Sequence, residues 1–287
     1  MNIFVRTTYF GIESSMLISL ILASMVWGIW ILKSKNATRQ HWFSFSIAVV
    51  LMTVAMTRPL AILAESYFSI HMLQHLIMLM IVPPLLWLSI PIVKSNPPTV
   101  TKWMRVPLMS WMLGVGFMWM LHLPFFYNFF FSPNSGLCNS QSIASPFLKE
   151  WIHPIHLMIT MLVGLWFVFP ILSPWKSLRV KPLAGIGFLV SACTACTILG
   201  IVVTFSPAGL FDGYNLIPDP NGVRTLLQTK YGLTAQMDQQ MAGLIMWVPG
   251  CLIYLSGSLF LFNKWFSNQE RPAVVNPDYH KNINTSA

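Results

Sequence analysis

Charge is scarce in this sequence. Only 9% of its 287 residues are Asp, Glu, Lys or Arg, against about a quarter in an ordinary soluble domain. Acidic residues are scarcest, eight in all. A soluble multidomain enzyme and a disordered chain are both excluded by that composition. The four cysteines, Cys138, Cys193, Cys196 and Cys251, are too few and too scattered for a disulfide scaffold. Catalytic signatures are missing as well: there is no phosphate-binding glycine loop, nucleophile elbow or zinc-protease motif. The last apolar run holds no lysine for a retinal Schiff base. The chain reads as a protein that holds or passes on an ion, not as an enzyme.

Apolar residues are abundant, at 55% hydrophobic with a mean hydropathy of +0.63. They fall in runs near 14–32, 42–64, 69–91, 106–124, 152–172, 182–205 and 238–262. About 20 apolar residues cross a bilayer as a helix. The expectation is therefore an all-α, polytopic bundle of seven transmembrane helices. The first run continues into Lys33-Ser34-Lys35 with no small-residue cleavage site, so it reads as a span and not a cleaved signal.

Lys and Arg alternate across these runs. One side carries Lys33, Lys35, Arg39, Lys94, Lys102, Arg105, Lys176, Arg179, Lys181, Lys264, Arg271 and Lys281. The other carries only Arg6, Lys149, Arg224 and Lys230. By the positive-inside rule the N-terminus lies outside and the C-terminus inside. Topology thus accounts for the net charge of +9 without nucleic acid. The expected layout is a transmembrane domain over 1–266 and a polar cytoplasmic tail over 267–287. The expected surroundings are lipid, in a bacterial cytoplasmic membrane.

The same topology gathers histidines. His71 and His75 open the third run, His122 closes the fourth, and His153 and His156 open the fifth. All five fall within about three turns of the outer face. In His71-Met72-Leu73-Gln74-His75-Leu76-Ile77-Met78, positions 71, 74, 75 and 78 share one helix face. His71 and His75, one turn apart, can ligate a single ion. A lone histidine there would read as an interfacial residue. Five on three helices at one depth read as a site, because ionisable groups at membrane depth are costly and usually functional.

Other side chains join that layer. Met72, Met78 and Met241 lie close enough to be ligands, while most of the 18 methionines read as packing. Arg58, about 16 residues into the second run, falls in its outer third and needs a partner, with Glu65 and Asp238 as candidates. Asp238-Gln239-Gln240 opens the last run. Asp238 either caps its own helix or fixes the tautomer of a ligand histidine, and Gln74 and Gln239 fall in the same outer shell. Cys193-Thr194-Ala195-Cys196 is a C-x-x-C deep in the sixth run. It reads as close packing or as transient ligands for a soft metal. Cys138 and Cys251 have no visible partner. Pro83-Pro84 and Pro249-Gly250 should kink their helices.

A layer rich in imidazole, thioether and thiol, with few carboxylates, suits copper or zinc better than magnesium or calcium, and thioethers tilt the choice to Cu(I). Haem is the rival. It would need histidines paired across helices, such as His75 with His156.

The stretches His71-Met72-Leu73-Gln74-His75-Leu76, Pro83-Pro84-Leu85-Leu86, His122-Leu123-Pro124 with Tyr127, and Asp238 through Gly250 resemble the CtaG-like family. These are multi-span assembly factors of caa3-type bacterial cytochrome c oxidase. The resemblance covers about 58 to 262. It implies a partner among the oxidase subunits and a role in maturing the enzyme at its copper centres. The Cys193/Cys196 pair matches no feature of the family pattern. Four expectations follow: a copper-binding assembly factor, a copper transporter, a haem-binding protein, or a metal-free scaffold.

Overall fold

The computed structural model describes residues 14–34, 36–123, 125, 146–207, 210 and 222–269. In chain order its helices are α1 (Ser14–Lys33), α2 (Arg39–Ala55), α3 (Arg58–Ser66), α4 (Phe68–His75), a π-helical turn (Leu76–Ile81), α5 (Val82–Leu88) and α6 (Thr99–Met104). Then follow α7 (Pro107–His122), α8 (Pro146–Leu172), α9 (Pro182–Phe205), α10 (Val223–Tyr231) and α11 (Ala235–Gln269). The all-α expectation holds, with no strand among the described residues. Among the described residues, four segments are long and apolar enough to cross a membrane: Phe68–Leu88, Pro154–Leu172, Pro182–Phe205 and Ala235–Ser267. They correspond to the third, fifth, sixth and seventh expected runs. Large apolar side chains such as Leu22, Phe43, Leu108 and Leu259 stand exposed around the bundle. A surface of that kind belongs against lipid.

The second expected span, 42–64, is not one helix. α2 stops at Ala55 and α3 restarts at Arg58, with Thr57 extended between them (φ −67°, ψ 143°). Pro59 sits in the first turn of α3. Proline starts a helix well there but cannot continue one from the preceding turn. The chain breaks again at Tyr67 (φ −131°, ψ 127°) before α4 begins. Two interruptions in twelve residues leave carbonyls and N–H groups that apolar surroundings cannot solvate.

The kink expected at Pro83-Pro84 takes a particular form. Neither proline has an N–H to donate. One turn earlier the helix widens, and the Val82 N–H reaches back five residues to the Ile77 carbonyl. α8 lies against this widened turn at Gly164. A Cβ on Gly164 would overlap the Leu79 carbonyl oxygen and lie 2.7 Å from Pro83 Cγ. Pro249, in contrast, lies inside α11, which continues as helix on both sides.

Two further contacts set the bundle. α9 and α11 pack antiparallel as the most extensive helix pair. At the end of the bundle away from His71, Trp27 Nε1 donates to the Leu86 carbonyl (2.8 Å) and Trp87 Nε1 to the Leu165 carbonyl (2.9 Å). The indole rings of Trp27 and Trp87 meet edge to face at 5.4 Å. These bonds tie α1, α5 and α8 together.

Gly164→Ala should lower the stability of the detergent-solubilised protein by about 1–3 kcal/mol, the usual range for overpacking. Thermal unfolding measures it, and an unchanged midpoint would refute the close approach of α8 to the widened turn.

Candidate metal centre

The local sequence before α4 offers no cap. Tyr67 occupies the N-cap position and has no short side-chain oxygen for the first N–H groups. The acceptor comes from α11. Asp238 is buried, and its carboxylate accepts from the Phe68 N–H (2.7 Å), the Ser69 N–H (3.0 Å) and the Ser69 hydroxyl. A carboxylate at a helix N-terminus is favoured by both the hydrogen bonds and the dipole. Asp238 therefore caps a helix other than its own. It fixes the start of the segment that carries His71 and His75, and it does not orient a histidine ring by direct contact.

The other two expected outer-shell amides also finish helix ends. Gln74 is fully buried, and its Nε2 donates to the Ala55 carbonyl (2.8 Å), left open where α2 stops. Gln239 Nε2 donates to the carbonyls of Val203 (3.0 Å) and Ser206 (2.9 Å) at the end of α9. The Arg58 and Glu65 side chains lie outside the described residues, so their expected pairing does too. The basic side chain acting on Asp238 among the described residues is Arg224 of α10. The Arg224 Nε also donates to the Ser66 carbonyl (3.4 Å), and the Tyr67 hydroxyl donates to the Arg224 carbonyl (3.3 Å). α10 is thus laced to the break before α4.

On this frame three histidines converge. The candidate ligand nitrogens of His71, His75 and His156 all lie within 4.8 Å of one another. His75 Nε2 and His156 Nε2 are 2.8 Å apart. The His71 ring lies 4.3 Å from that of His75 and is stacked 5.7 Å from that of His156. A tetrahedral ion with nitrogens at about 2.0–2.1 Å needs them roughly 3.3 Å apart, which small side-chain rotations supply. The His153 side chain lies outside the described residues.

His122 stands beside this triad, with its ring 5.7 Å from that of His75 and at 90° to it. It is buried. Its Nδ1 is 2.6 Å from the Met118 carbonyl, which can only accept, so Nδ1 carries the proton. In the neutral ring Nε2 is then a bare lone pair. It faces Met72 Sδ at 3.2 Å. With the ring neutral, a nitrogen lone pair and a thioether sulfur face each other across that distance. A soft cation would satisfy both.

Met72, His75 and His122 line a cavity of about 10 Å³ that continues down to Met80 and Met246. That is room for roughly one water-sized body. Of the other sequence candidates, Met78 is fully buried beside this layer, while Met241 is about half exposed and Asp238 and Ala242 turn into the bundle. Cys193 and Cys196 are not part of the histidine layer. Cys251, read as partnerless, has its Sγ 3.0 Å from Cys193 Sγ. That contact depends on how α9 and α11 pack, and no spacing within either helix signals it. The role of Asp238 did leave a trace, since a helix start with no capping residue demands an acceptor from elsewhere.

Asp238→Asn keeps the shape but turns one acceptor into a donor facing backbone N–H groups. It should cost about 1–3 kcal/mol, the penalty for a buried unsatisfied donor. Thermal unfolding and faster amide exchange at Phe68 and Ser69 measure it. Unchanged exchange at those two amides would refute the cap.

No curated protein and no solved structure matches the chain. A family model does, described as cytochrome c oxidase caa3 assembly factor, and it matches residues 23–268. The match runs from within α1 to the last turn of α11 and includes every residue of the histidine layer, in keeping with the resemblance carried by the motifs at His71, His122 and Asp238. The chain belongs to the cytochrome c oxidase caa3 assembly factor family.

Proposed function

We propose that this protein binds Cu(I) at its histidine layer and passes it to an apo-subunit of a caa3-type oxidase during assembly. In this reading it is a carrier and not a catalyst. It sits in the bacterial cytoplasmic membrane as a seven-span domain over 1–266, with the N-terminus outside and a polar tail over 267–287 inside. The positive-inside pattern supports that orientation. It turns the start of α4, and with it the histidines, toward the outer compartment.

The observation that carries the reading is the arrangement of lone pairs. His71, His75 and His156 bring ligand nitrogens within 4.8 Å of one another. His122 and Met72 aim a nitrogen and a sulfur at each other beside them. Among the described residues no carboxylate joins the layer, which favours a soft monovalent ion over magnesium or calcium. An assembly role also fits ligands in excess of one closed coordination shell, because a donor site must hand its ion on. Haem fits poorly. A porphyrin between two axial histidines needs their nitrogens about 4 Å apart, at roughly 2 Å from iron on each side. His75 Nε2 and His156 Nε2 are 2.8 Å apart.

Replacing His71 and His75 together with Ala should leave the oxidase subunits assembled but short of copper. Oxidase activity should fall to background, and the purified variant should lose Cu(I) from this layer. Copper content and activity of the oxidase from the mutant strain are the measurements. A fully metallated, active oxidase would sink the proposal.

A further inference from the structure

Two of the four cysteines meet at the seam between α9 and α11, outside the histidine layer. The helices approach closely there. A Cβ on Gly200 would lie 2.6 Å from Trp247 Cβ, and one on Gly243 would overlap Thr204 Oγ1. Gly185 lies against Leu261, and Gly257 against Leu189. On each helix the cysteine falls between two of these glycines, so close packing on both sides sets its register. At that register Cys193 Sγ lies 3.0 Å from Cys251 Sγ. The Cys251 Sγ is also 3.8 Å from the Cys193 carbonyl oxygen. A disulfide needs its sulfurs about 2.05 Å apart, so the pair has roughly 1 Å to close. Cys196 is engaged elsewhere: it is buried, and its thiol donates to the Met246 carbonyl at 3.4 Å.

The pair sits on the flank of the seam that opens outward. Cys193 and Cys251 are half-buried. Around them Val190 and Ile198 on α9, and Val248, Leu252 and Leu255 on α11, are 44% to 62% exposed. Both helices are long and apolar enough to span a membrane, over Pro182–Phe205 and Ala235–Ser267. Each cysteine lies at the middle of its span, about 15 Å of hydrocarbon from either surface. A charged, water-borne oxidant does not reach that depth, whereas an apolar one dissolved in lipid does. Thr197 Oγ1 lies 3.1 Å from Cys251 Sγ. Its hydroxyl can donate to that sulfur and steady it as the thiol gives up its proton.

We propose that Cys193 and Cys251 are a redox-active dithiol, a covalent modification site that a membrane quinone oxidises to a disulfide from the lipid phase. The step balances. The two thiols give up two protons and two electrons, and one S–S bond forms. The quinone takes up both electrons and both protons and leaves as hydroquinone. No charge remains in the apolar interior. The new bond joins α9 covalently to α11, the helix whose Asp238 caps α4. Oxidation therefore stiffens the frame under the histidines. This holds whether or not the histidines bind copper.

The test uses full-length protein carrying Cys138→Ser, fully reduced, in lipid nanodiscs. Three thiols remain, Cys193, Cys196 and Cys251. They are counted by maleimide labelling after denaturation. Duroquinone is the probe, because its fully substituted ring offers thiols no position for addition. It should reduce the count from three to one, and mass spectrometry of the digest should find peptides joined at Cys193 and Cys251. Dithiothreitol should restore the count to three. Glutathione disulfide, charged and confined to water, should leave all three free. Cys193→Ser and Cys251→Ser should each keep both remaining thiols in duroquinone. The oxidised protein should also unfold at a higher temperature than the reduced one. Three free thiols after duroquinone, a disulfide that uses Cys196, or equal oxidation by glutathione disulfide would overturn the proposal. Copper content enters none of these readouts, so failure here and failure of the copper reading are told apart.

Discussion

The Asp238 carboxylate holds the first N–H groups of α4, and the histidine layer hangs from that contact. α4 is short and begins after an extended residue. Alone, its open N–H groups would face an apolar interior, where an unpaired donor costs about 1–3 kcal/mol. One side chain of α11 settles several of them at once. His71 then projects from the first turn and His75 from the next, at a register set by that cap.

The same logic recurs at the other interruptions. Gln74 finishes the end of α2, and Gln239 finishes the end of α9. Both lie on helices that also carry the cap or the histidines. A membrane interior offers no water to repair a broken helix. Each break must be mended by a side chain from a neighbour, and each mend fixes two elements relative to each other. The polar residues near the site thus serve the ligands indirectly. They hold backbone, and the backbone holds imidazole.

The widened turn after His75 adds a second effect. Pro83 and Pro84 withhold two donors, and the helix answers with an i to i+5 bond. Such turns often accompany functional sites. Here it rotates Met80 toward α11 while His75 stays in the α-helical register. One helical segment therefore presents an imidazole to the histidine layer and a thioether to α11 at Gly250. Gly164 and Gly250 keep the neighbouring helices close enough for both to matter.

Much of this could be read without coordinates. Long apolar runs marked the long helices, because burying about 20 apolar residues leaves few alternatives to a span. Spacing put His71, Gln74 and His75 on one face, because that geometry is local to a helix. The convergence of His71, His75, His122 and His156 followed from where each helix starts or stops. The break at Pro59 escaped because hydropathy averages over a single proline. Two other things were beyond the reach of a linear reading. One was the destination of each polar side chain: Asp238 capping α4, Gln74 reaching Ala55. The other was the meeting of Cys193 with Cys251. The sequence by itself determined which segments are helices and which donors share a depth, since those depend on local periodicity and on composition. Only the tertiary structure decided which atoms touch, because contacts between helices depend on close packing at glycines and on hydrogen bonds that no single segment contains.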